Sequence, residues 1–364
     1  MVNFYRNVHC LMGLPIDAIS LSEAAEVLNQ ARLNRQRCFF STPNLNFVIT
    51  SQHNAKFRNS VSLSDLSLAD GMPLVWVAKL LAVPLKGRVS GSSLFEFLRH
   101  ESASVWNMFF FGGAEGTGQK ACSAIGKYGA GMRASGSIYP GFVDVAAMSR
   151  PDMIDRINAS QADFLVVSLG AAKGQEWICR NLDSLQVPVV AHLGAVINFV
   201  AGTVKRAPAW MQQSGLEWVW RIMEERTLLR RYVQDGMAFL ALLATQAIPL
   251  AFWQRWTAPA AAEFARARVG QPSPSHGGPI TLAGAWRLDN LGPVRRLFTQ
   301  LLEQAQDVTL DMSGVTGMDS AFMGLLLLLD QALTSHGKTL QLAHVSPRQQ
   351  RLLRLSGVHH LVLT

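Results

Sequence analysis

The amino-acid sequence predicts an α/β protein: a parallel sheet covered by helices, a helical segment rich in Arg and Trp, and a smaller α/β unit. Before about residue 205, apolar runs rich in β-branched and aromatic residues alternate with glycine turns and helix-like segments, the pattern of a parallel sheet. Strand-like and helix-like segments alternate again after a stretch rich in Ala, Pro, Gly and Ser. The predicted divisions are a core at 1–205, a helical appendage at 206–256, a linker at 257–279 and a small domain at 280–364.

Composition sets broad limits on the class of protein. The 364 residues suffice for two domains, and 49% hydrophobic with 16% charged residues argues for globular units rather than disorder. The net charge of +8 is compatible with nucleic acid, anionic lipid or a phosphorylated substrate as partner. No secretion signal is recognisable in the first residues. Four widely spaced cysteines without a CxxC pair indicate reduced thiols in a cytosolic protein and suggest no metal site.

Each predicted strand of the first unit ends in a polar or glycine-rich turn. Ligands of parallel sheets bind in the crevice beyond the carboxyl ends of the strands, so these turns mark a candidate site. The segments with this pattern are CFFSTPN (38–44), SVWNMFFFGGAEGTGQKACSAIGKYG (104–129), ADFLVVSLGAAKGQEWICRNL (162–182) and VPVVAHLGAVINFVAG (187–202).

Glycines and polar residues occupy these turns. Gly112 and Gly113, followed by Gly116 and Gly118, would let backbone N–H groups approach a phosphate at a helix N-terminus, although the spacing is not GxGxxG and a tight turn is the alternative. The polar residues that we place at the rim are Thr42, Asn44, Asp70, Arg88, Lys173 and Gln175. Each could be only a turn or cap residue. A carboxylate there could act as a general base, and an arginine could hold a diphosphate.

Two further segments have competing interpretations. His192 follows the apolar run VPVVA, and we expect a buried histidine rather than a ligand. In 206–232, three tryptophans are interleaved with arginines, which suits a membrane interface or, alternatively, single-stranded nucleic acid. The apolar run 236–253 favours lipid; it is interrupted by Thr245, Gln246 and Pro249 and is shorter than the roughly 20 residues needed to cross a bilayer. We expect a helix in or dipping into one leaflet, with a true span and a buried helix as alternatives.

The ordered motifs of residues 8–235 resemble the WecG/TagA/CpsF family of bacterial glycosyltransferases. The motifs that carry the resemblance are TPN, LADG, RVSGSSLF, FFFGGAEG, VVSLGAAKGQEWI, LGAVINFVAG, RAPAWMQQSGLEWVWR and RRY. The resemblance implies a Rossmann-like core that transfers a sugar, with inversion and without a metal or other cofactor, from a UDP-sugar to a saccharide on a polyprenyl diphosphate. It implies work at the cytoplasmic face of the inner membrane, as a peripheral or monotopic protein of cell-surface polysaccharide or exopolysaccharide synthesis, and no nucleic-acid partner.

The resemblance also assigns roles. It implies that Asp70 is the base that deprotonates the acceptor hydroxyl, that Thr42 and Asn44 line the pocket, and that Arg88 steadies the leaving diphosphate. The arginines matched to an appendage that closes over the pocket are Arg206, Arg221, Arg230 and Arg231. The sequence departs from the family pattern in two places. The segment Gly170–Glu176 lacks the usual proline, and Gln175 is displaced by one position. At 224–226, EER replaces the usual EP.

The second unit resembles a STAS domain, chiefly in VTLDMSGVTGMDSAFMGLLLLL. By that resemblance Ser320, after Asp319, is a candidate phosphorylation site, and the module offers a surface for a protein partner; the alternative is that both residues only cap a helix. We expect the linker to let this module move. Two rival functions are a non-catalytic regulator that senses a nucleotide and a nicotinamide-dependent oxidoreductase.

Overall fold

The computed structural model describes residues 2–101, 105–128, 131–224, 228–270, 278–304 and 306–362. Its strands are β1 (Val8–Leu11), β2 (Leu14–Asp17), β3 (Cys38–Ser41), β4 (Leu66–Ser67), β5 (Trp106–Gly112), β6 (Met132–Ile138), β7 (Phe164–Ser168), β8 (Val189–His192), β9 (Arg268–Val269), β10 (Ile280–Trp286), β11 (Val308–Met318) and β12 (Leu340–Ala343). Its helices are α1 (Leu21–Leu33), α2 (Leu45–His53), α3 (Ala55–Ser62), α4 (Met72–Leu80), α5 (Gly91–Glu101), α6 (Thr117–Tyr128), α7 (Pro151–Ala159), α8 (Ala171–Asn181), α9 (Val196–Val200), α10 (Ala209–Ser214), α11 (Glu217–Glu224), α12 (Leu229–Leu242), α13 (Ile248–Trp256), α14 (Ala261–Ala265), α15 (Gly292–Gln304), α16 (Ser320–Ser335) and α17 (Pro347–Leu355).

A six-stranded parallel sheet forms the core of the first unit and confirms the predicted architecture. The strand order is β4-β3-β8-β7-β5-β6. The central strands are buried along their whole length, as in Phe164–Ser168 and Val189–His192, because helices cover both faces. Since the strands run in one direction, the turns after them share one edge of the sheet.

The second unit is a separate four-stranded sheet with the order β12-β11-β10-β9, in which β9 alone is antiparallel to its neighbour. The first elements of this unit fall inside the range predicted as a linker. Helix α14 begins at Ala261, and β9 pairs Val269 with Leu282. Partly buried apolar side chains such as Val269 give this Ala- and Pro-rich stretch a packing role. Residues 271–277 of the linker range lie outside the described residues.

The two units share one hydrophobic core through the hairpin β1–β2. Helix α16 packs on β1, and Gly324 approaches the backbone of that strand so closely that an added Cβ would lie 3.1 Å from the Val8 carbonyl oxygen. Phe4 and Phe298 meet edge to face at 5.6 Å. One cluster of buried residues therefore spans both units. The structure does not support the free movement of the module that we expected from the linker.

A continuous helical segment, Leu229–Trp256, connects the units and is long and apolar enough to cross a membrane by length and composition only. Thr245 and Gln246, which interrupt the apolar run, lie in a π-helical turn at Leu243–Ala247 that ends two residues before Pro249. Proline lacks an N–H and clashes with the preceding turn, and a wider turn relieves this conflict. One face packs on the shared core through Ala247, Leu250 and Ala251. The apolar side chains exposed on its surface are Leu229, Val233, Met237, Leu240, Ile248, Phe252 and Trp256.

The contact between the units predicts a stability difference between two glycine variants. At Gly13, in the hairpin turn, φ is +83° and an added Cβ would lie 2.6 Å from the Gly357 carbonyl oxygen of the second unit. Gly13→Ala should lower the free energy of unfolding by about 2–4 kcal/mol, from backbone strain and overpacking together. Urea denaturation measures the loss.

Gly337→Ala is the matched control, because Gly337 also has a positive φ, +67°, but an added Cβ meets nothing within 4 Å. It should cost only the backbone strain, about 1–2 kcal/mol. Equal losses in the two variants would contradict a tight contact between the hairpin and the second unit.

Candidate active site

Backbone hydrogen bonds carry Asp70 to the carboxyl edge of the large sheet. Strand β4 pairs with β3, and beyond it the Leu68 and Asp70 N–H groups donate to the carbonyl oxygens of Ser41 (2.9 Å) and Pro43 (2.7 Å). Gly71 follows with φ +105°, which lets the chain turn sharply into α4. The Asp70 side chain is 29% exposed. The acid is therefore held beside the TPN turn, as the sequence predicts.

A buried ion pair fixes the strand that precedes Asp70. The Asp17 carboxylate accepts the Ser67 N–H at 2.7 Å and the Arg6 Nε–H at 2.8 Å, and Arg6 also donates to the Ser64 carbonyl oxygen. Both charged side chains are almost fully buried. The hairpin β1–β2 thereby holds β4 in position.

Arg88 is the cation beside Asp70. The Val89 N–H donates to the Ala69 carbonyl oxygen at 2.8 Å, so the loop with Arg88 lies along the Asp70 turn. Arg88 Nε is 3.7 Å from Asp70 Oδ1, and its Nη2 is 2.7 Å from Glu217 Oε2. The guanidinium thus joins two carboxylates, one from the core and one from the appendage.

The appendage closes over this pair. Arg221 Nε lies 3.9 Å from Glu217 Oε1, and Arg206 Nη2 donates to Ser93 Oγ at 2.8 Å. Burial raises the pKa of Asp70 to about 6; Arg88 opposes the shift most strongly, Arg221 and Arg206 oppose it less, and Glu217 adds to it. Arg206 and Arg221 therefore lie within electrostatic reach of Asp70.

Arg230 and Arg231 do not join this group. Both are exposed on α12, and Arg231 lies over the Tyr232 ring at 5.3 Å. Within the described ranges, neither forms an ion pair with Asp70 or Glu217. Arg226, and with it most of the EER departure, lies outside the described residues.

The glycine turn after β5 is at the same edge of the sheet. Gly112 has φ +101°, and an added Cβ would lie 2.6 Å from the Ser168 carbonyl oxygen; the Gly113 N–H donates to that oxygen at 2.7 Å. The close approach of two strand ends explains Gly112, and Gly113 has φ +79° with an Ile197 methyl group 3.1 Å from an added Cβ. Phosphate binding by this turn stays a prediction.

Of the other predicted rim residues, Asn44 and Gln175 make hydrogen bonds that support neighbouring elements, and the roles of Thr42 and Lys173 stay predictions. Asn44 Oδ1 caps α2 by accepting the Phe47 N–H, and Thr42 is buried without a hydrogen bond from its side chain among the described contacts. Lys173 is exposed and donates to the Val143 carbonyl oxygen. Gln175 is fully buried inside α8 and donates to Ser41 Oγ at 3.0 Å, so here it supports the end of β3.

His192 is buried, as predicted. Its Nε2 is 2.6 Å from the Leu169 carbonyl oxygen, and burial lowers its pKa. An added Cβ on Gly174 would lie 2.1 Å from the His192 ring. This contact accounts for the glycine in the segment GAAKGQE, which departs from the family pattern and forms the start of α8.

Comparison with known proteins assigns both units to families. The family model described as glycosyl transferase WecG/TagA/CpsF matches residues 9–251. The chain belongs to this family of glycosyltransferases. A model for the Mlab STAS domain matches residues 269–363, so the second unit is a STAS domain.

Two bacterial relatives of the glycosyltransferase unit are both named N-acetylglucosaminyldiphosphoundecaprenol N-acetyl-beta-D-mannosaminyltransferase. The protein from Bacillus spizizenii strain W23 is 26% identical over 206 residues, which cover 56% of this chain and 78% of that protein. The protein from Staphylococcus aureus strain MRSA252 is 22% identical over 216 residues, which cover 58% of this chain and 83% of that protein.

Ser320 of the STAS domain lies at the interface between the units. Its Oγ is 2.9 Å from His9 Nδ1, and His9 is almost fully buried on β1. Asp319 caps α16 by accepting the Phe322 N–H at 2.8 Å. The helix-cap interpretation of Asp319 is confirmed, whereas phosphorylation of Ser320 stays a prediction.

Sequence reasoning missed two acids of this glycosyltransferase. Glu217 stands in the motif GLEWVWR. In the sequence, one acid among arginines at helical spacing resembles the solvated face of a helix. Asp17 ends the short strand LPID and is buried. Its burial, which implies a charged partner inside the protein, is visible only in the folded structure.

The buried pair under β4 predicts a large stability effect. Asp17→Asn keeps an acceptor for the Ser67 N–H but leaves the Arg6 guanidinium buried without its counter-charge. We expect a loss of about 3–5 kcal/mol in the free energy of unfolding, measured by urea denaturation.

The control is Asp152→Asn, which removes an exposed ion pair with Arg150 at 3.0 Å. Surface pairs contribute about 0–1 kcal/mol. A loss for Asp17→Asn no larger than for the control would show that the buried pair does not hold the β4 strand.

Proposed function

We propose that this glycosyltransferase moves a sugar from a UDP-sugar to a saccharide carried by a polyprenyl diphosphate, with Asp70 as the general base. The observation that carries the proposal is the pairing of Asp70, whose pKa is raised to about 6, with Arg88 at the carboxyl edge of the parallel sheet. The relatives' names support the acceptor class, since they specify an N-acetylglucosaminyl-diphosphoundecaprenol acceptor.

The pKa of Asp70 suits a base that works near neutral pH. At pH 7 a carboxyl group with a pKa of about 6 is mostly ionised, yet it binds a proton more readily than an ordinary aspartate. In the proposed reaction, Asp70 accepts the proton of the acceptor hydroxyl while the hydroxyl oxygen attacks the anomeric carbon. The bond to UDP breaks from the opposite side, so the configuration inverts.

Positive charge around Asp70 would stabilise the departing UDP. Arg88, Arg206 and Arg221 all act electrostatically on Asp70 and lie on the side where the appendage closes. Guanidinium groups bind phosphate oxygens in bidentate fashion, and they act most strongly in a site that excludes water. We propose that these groups carry the leaving-group charge without a divalent cation, which an assay in excess chelator tests.

We also propose that the enzyme binds one leaflet at the cytoplasmic face of the membrane. Trp76, Trp210 and Trp218 are exposed, and the turn at Gly215 packs against Trp76 and Met72 at the start of α4. Tryptophans and arginines are typical of membrane interfaces. Because Leu229–Trp256 packs one face on the shared core, a helix in the interface fits better than a span.

A second candidate is a non-catalytic regulator in which the STAS domain recruits a partner and the first unit only senses a nucleotide. The contact between Ser320 and His9 favours it, as does a cleft of about 620 Å³ between the units that both residues line. A phosphoryl group on Ser320 would place negative charge against Asp319 in this interface and weaken the docking. Sugar transfer by the purified protein separates the two candidates.

Removal of the proposed base is the direct test. Asp70→Asn should lower kcat for transfer by roughly 10²–10⁴-fold, because the amide cannot accept the proton, while UDP still raises the melting temperature of the variant. The assay pairs a panel of UDP-sugars with a lipid-linked acceptor.

The pH profile of the same assay checks the base independently. Only ionised Asp70 accepts a proton, so kcat/KM should fall about tenfold per pH unit below about pH 6 and level off above it. Near-normal turnover by Asp70→Asn, or a wild-type profile that is flat between pH 5 and 7, would rule out Asp70 as the base.

The apolar side chains exposed along Leu229–Trp256, which we call the exposed stripe, are predicted to contribute to membrane affinity. Leu240 and Phe252 are both exposed on the helical segment, so glutamate at both positions should leave the fold intact but weaken binding to anionic vesicles at least tenfold. Vesicle co-sedimentation measures binding. The control is Leu33→Glu, at an equally exposed leucine on α1; if both variants bind like the wild type, the stripe does not contact lipid.

A further inference from the structure

The guanidinium of Arg88 is already occupied by protein groups. Its Nη2 is 2.7 Å from Glu217 Oε2, and its Nη1 donates to the Gln212 carbonyl oxygen at 3.2 Å. Its Nε faces Asp70, and the side chain is only 12% exposed. A phosphate group that binds this arginine through both Nη1 and Nη2 therefore competes with these partners.

Glu217 is the partner with the charge that a phosphate would replace. Its carboxylate lies between Arg88 of the core and Arg221 of the appendage, and it is 17% exposed. Like the oxygens of a bound diphosphate, this carboxylate places negative charge between two guanidinium groups. It is also the first residue of α11, so this ion pair ties the appendage to the core.

We propose that Glu217 is a carboxylate latch that holds the appendage closed when no nucleotide is bound and competes with the diphosphate for Arg88 and Arg221. The inference rests on the proposed function, because it takes the diphosphate of a nucleotide as the competing anion. Binding of the nucleotide exchanges the carboxylate for phosphate oxygens at Arg88 and Arg221, so that the bound diphosphate rather than Glu217 then joins α11 to the core.

A latch of this kind lowers the apparent affinity for nucleotide. The protein binds nucleotide only after the Glu217 ion pair opens. The measured Kd is therefore the intrinsic Kd divided by the fraction of molecules in which the pair is open. Glu217 also pushes the pKa of Asp70 upward. A diphosphate bound at the same arginines would also place negative charge near Asp70 and would act on its pKa in the same direction.

The test compares Glu217→Gln with the wild type in two measurements. Calorimetric titration with UDP should show about fivefold to tenfold tighter binding by the variant, because the competing charge is gone. Hydrogen exchange without nucleotide should show faster exchange of the α10 and α11 amides, because the tie to Arg88 is lost. Weaker or unchanged UDP binding by a folded variant would overturn the latch and make Glu217 a group that positions the arginines.

Two further variants control for other effects of the substitution. Glu224→Gln removes the same charge from an exposed site on the same helix and should match the wild type in both measurements. Glu217→Asp keeps the negative charge at the start of α11 but shortens the side chain, so it should also speed the exchange and keeps the test valid if Glu217→Gln fails to fold.

The outcomes distinguish this inference from the proposed function. If the wild type and all variants fail to bind UDP, the donor assignment fails, whereas the exchange measurement still reports on the tie between Glu217 and Arg88. If UDP binds the wild type but exchange of α10 and α11 is the same in Glu217→Gln, the latch is wrong and the donor assignment stands.

Discussion

The structure depends on the hairpin β1–β2, which lies between the Asp70 edge of the large sheet and the STAS domain. On one side the Asp17 carboxylate holds Arg6 and the backbone of β4, three residues before Asp70. On the other side α16 packs directly on β1. A buried ion pair is costly to break once it is formed. The position of the proposed base is thus tied to the contact that docks the second unit, although the two lie on different domains of the chain.

Two opposing effects set the chemistry of Asp70. Burial and Glu217 favour the neutral acid, whereas Arg88, Arg221 and Arg206 favour the carboxylate. Three of these groups belong to the appendage, so the protonation of a residue on the core depends on where the appendage lies. Closure of the appendage and the proton affinity of Asp70 are therefore one coupled property.

The sequence predicts the fold and the place of the site better than the contacts within it. Apolar runs such as FLVVS identify parallel strands, because a strand buried on both faces needs no alternation. The same reasoning places Asp70 and Arg88 at one edge. It cannot distinguish a rim residue from a support: Gln175 turns inward to Ser41 and Asn44 caps α2, since both depend on contacts between distant parts of the chain. The bond between Arg88 and Glu217 likewise joins residues that are 129 positions apart, so no local pattern reveals it.

The long apolar helix shows why composition alone could not settle its role. Its composition would suit a membrane span, but Arg351 of α17 lies over the Trp253 ring at 4.7 Å, and Arg348 donates to the Thr257 carbonyl oxygen at 2.6 Å. The STAS domain thus supports the C-terminal end of the helix while the exposed stripe faces away from the core. A span would have to give up these contacts and expose the shared core to water. Because that core also contains the hairpin that holds β4, the packing of this helix and the geometry around Asp70 are consequences of the same set of contacts.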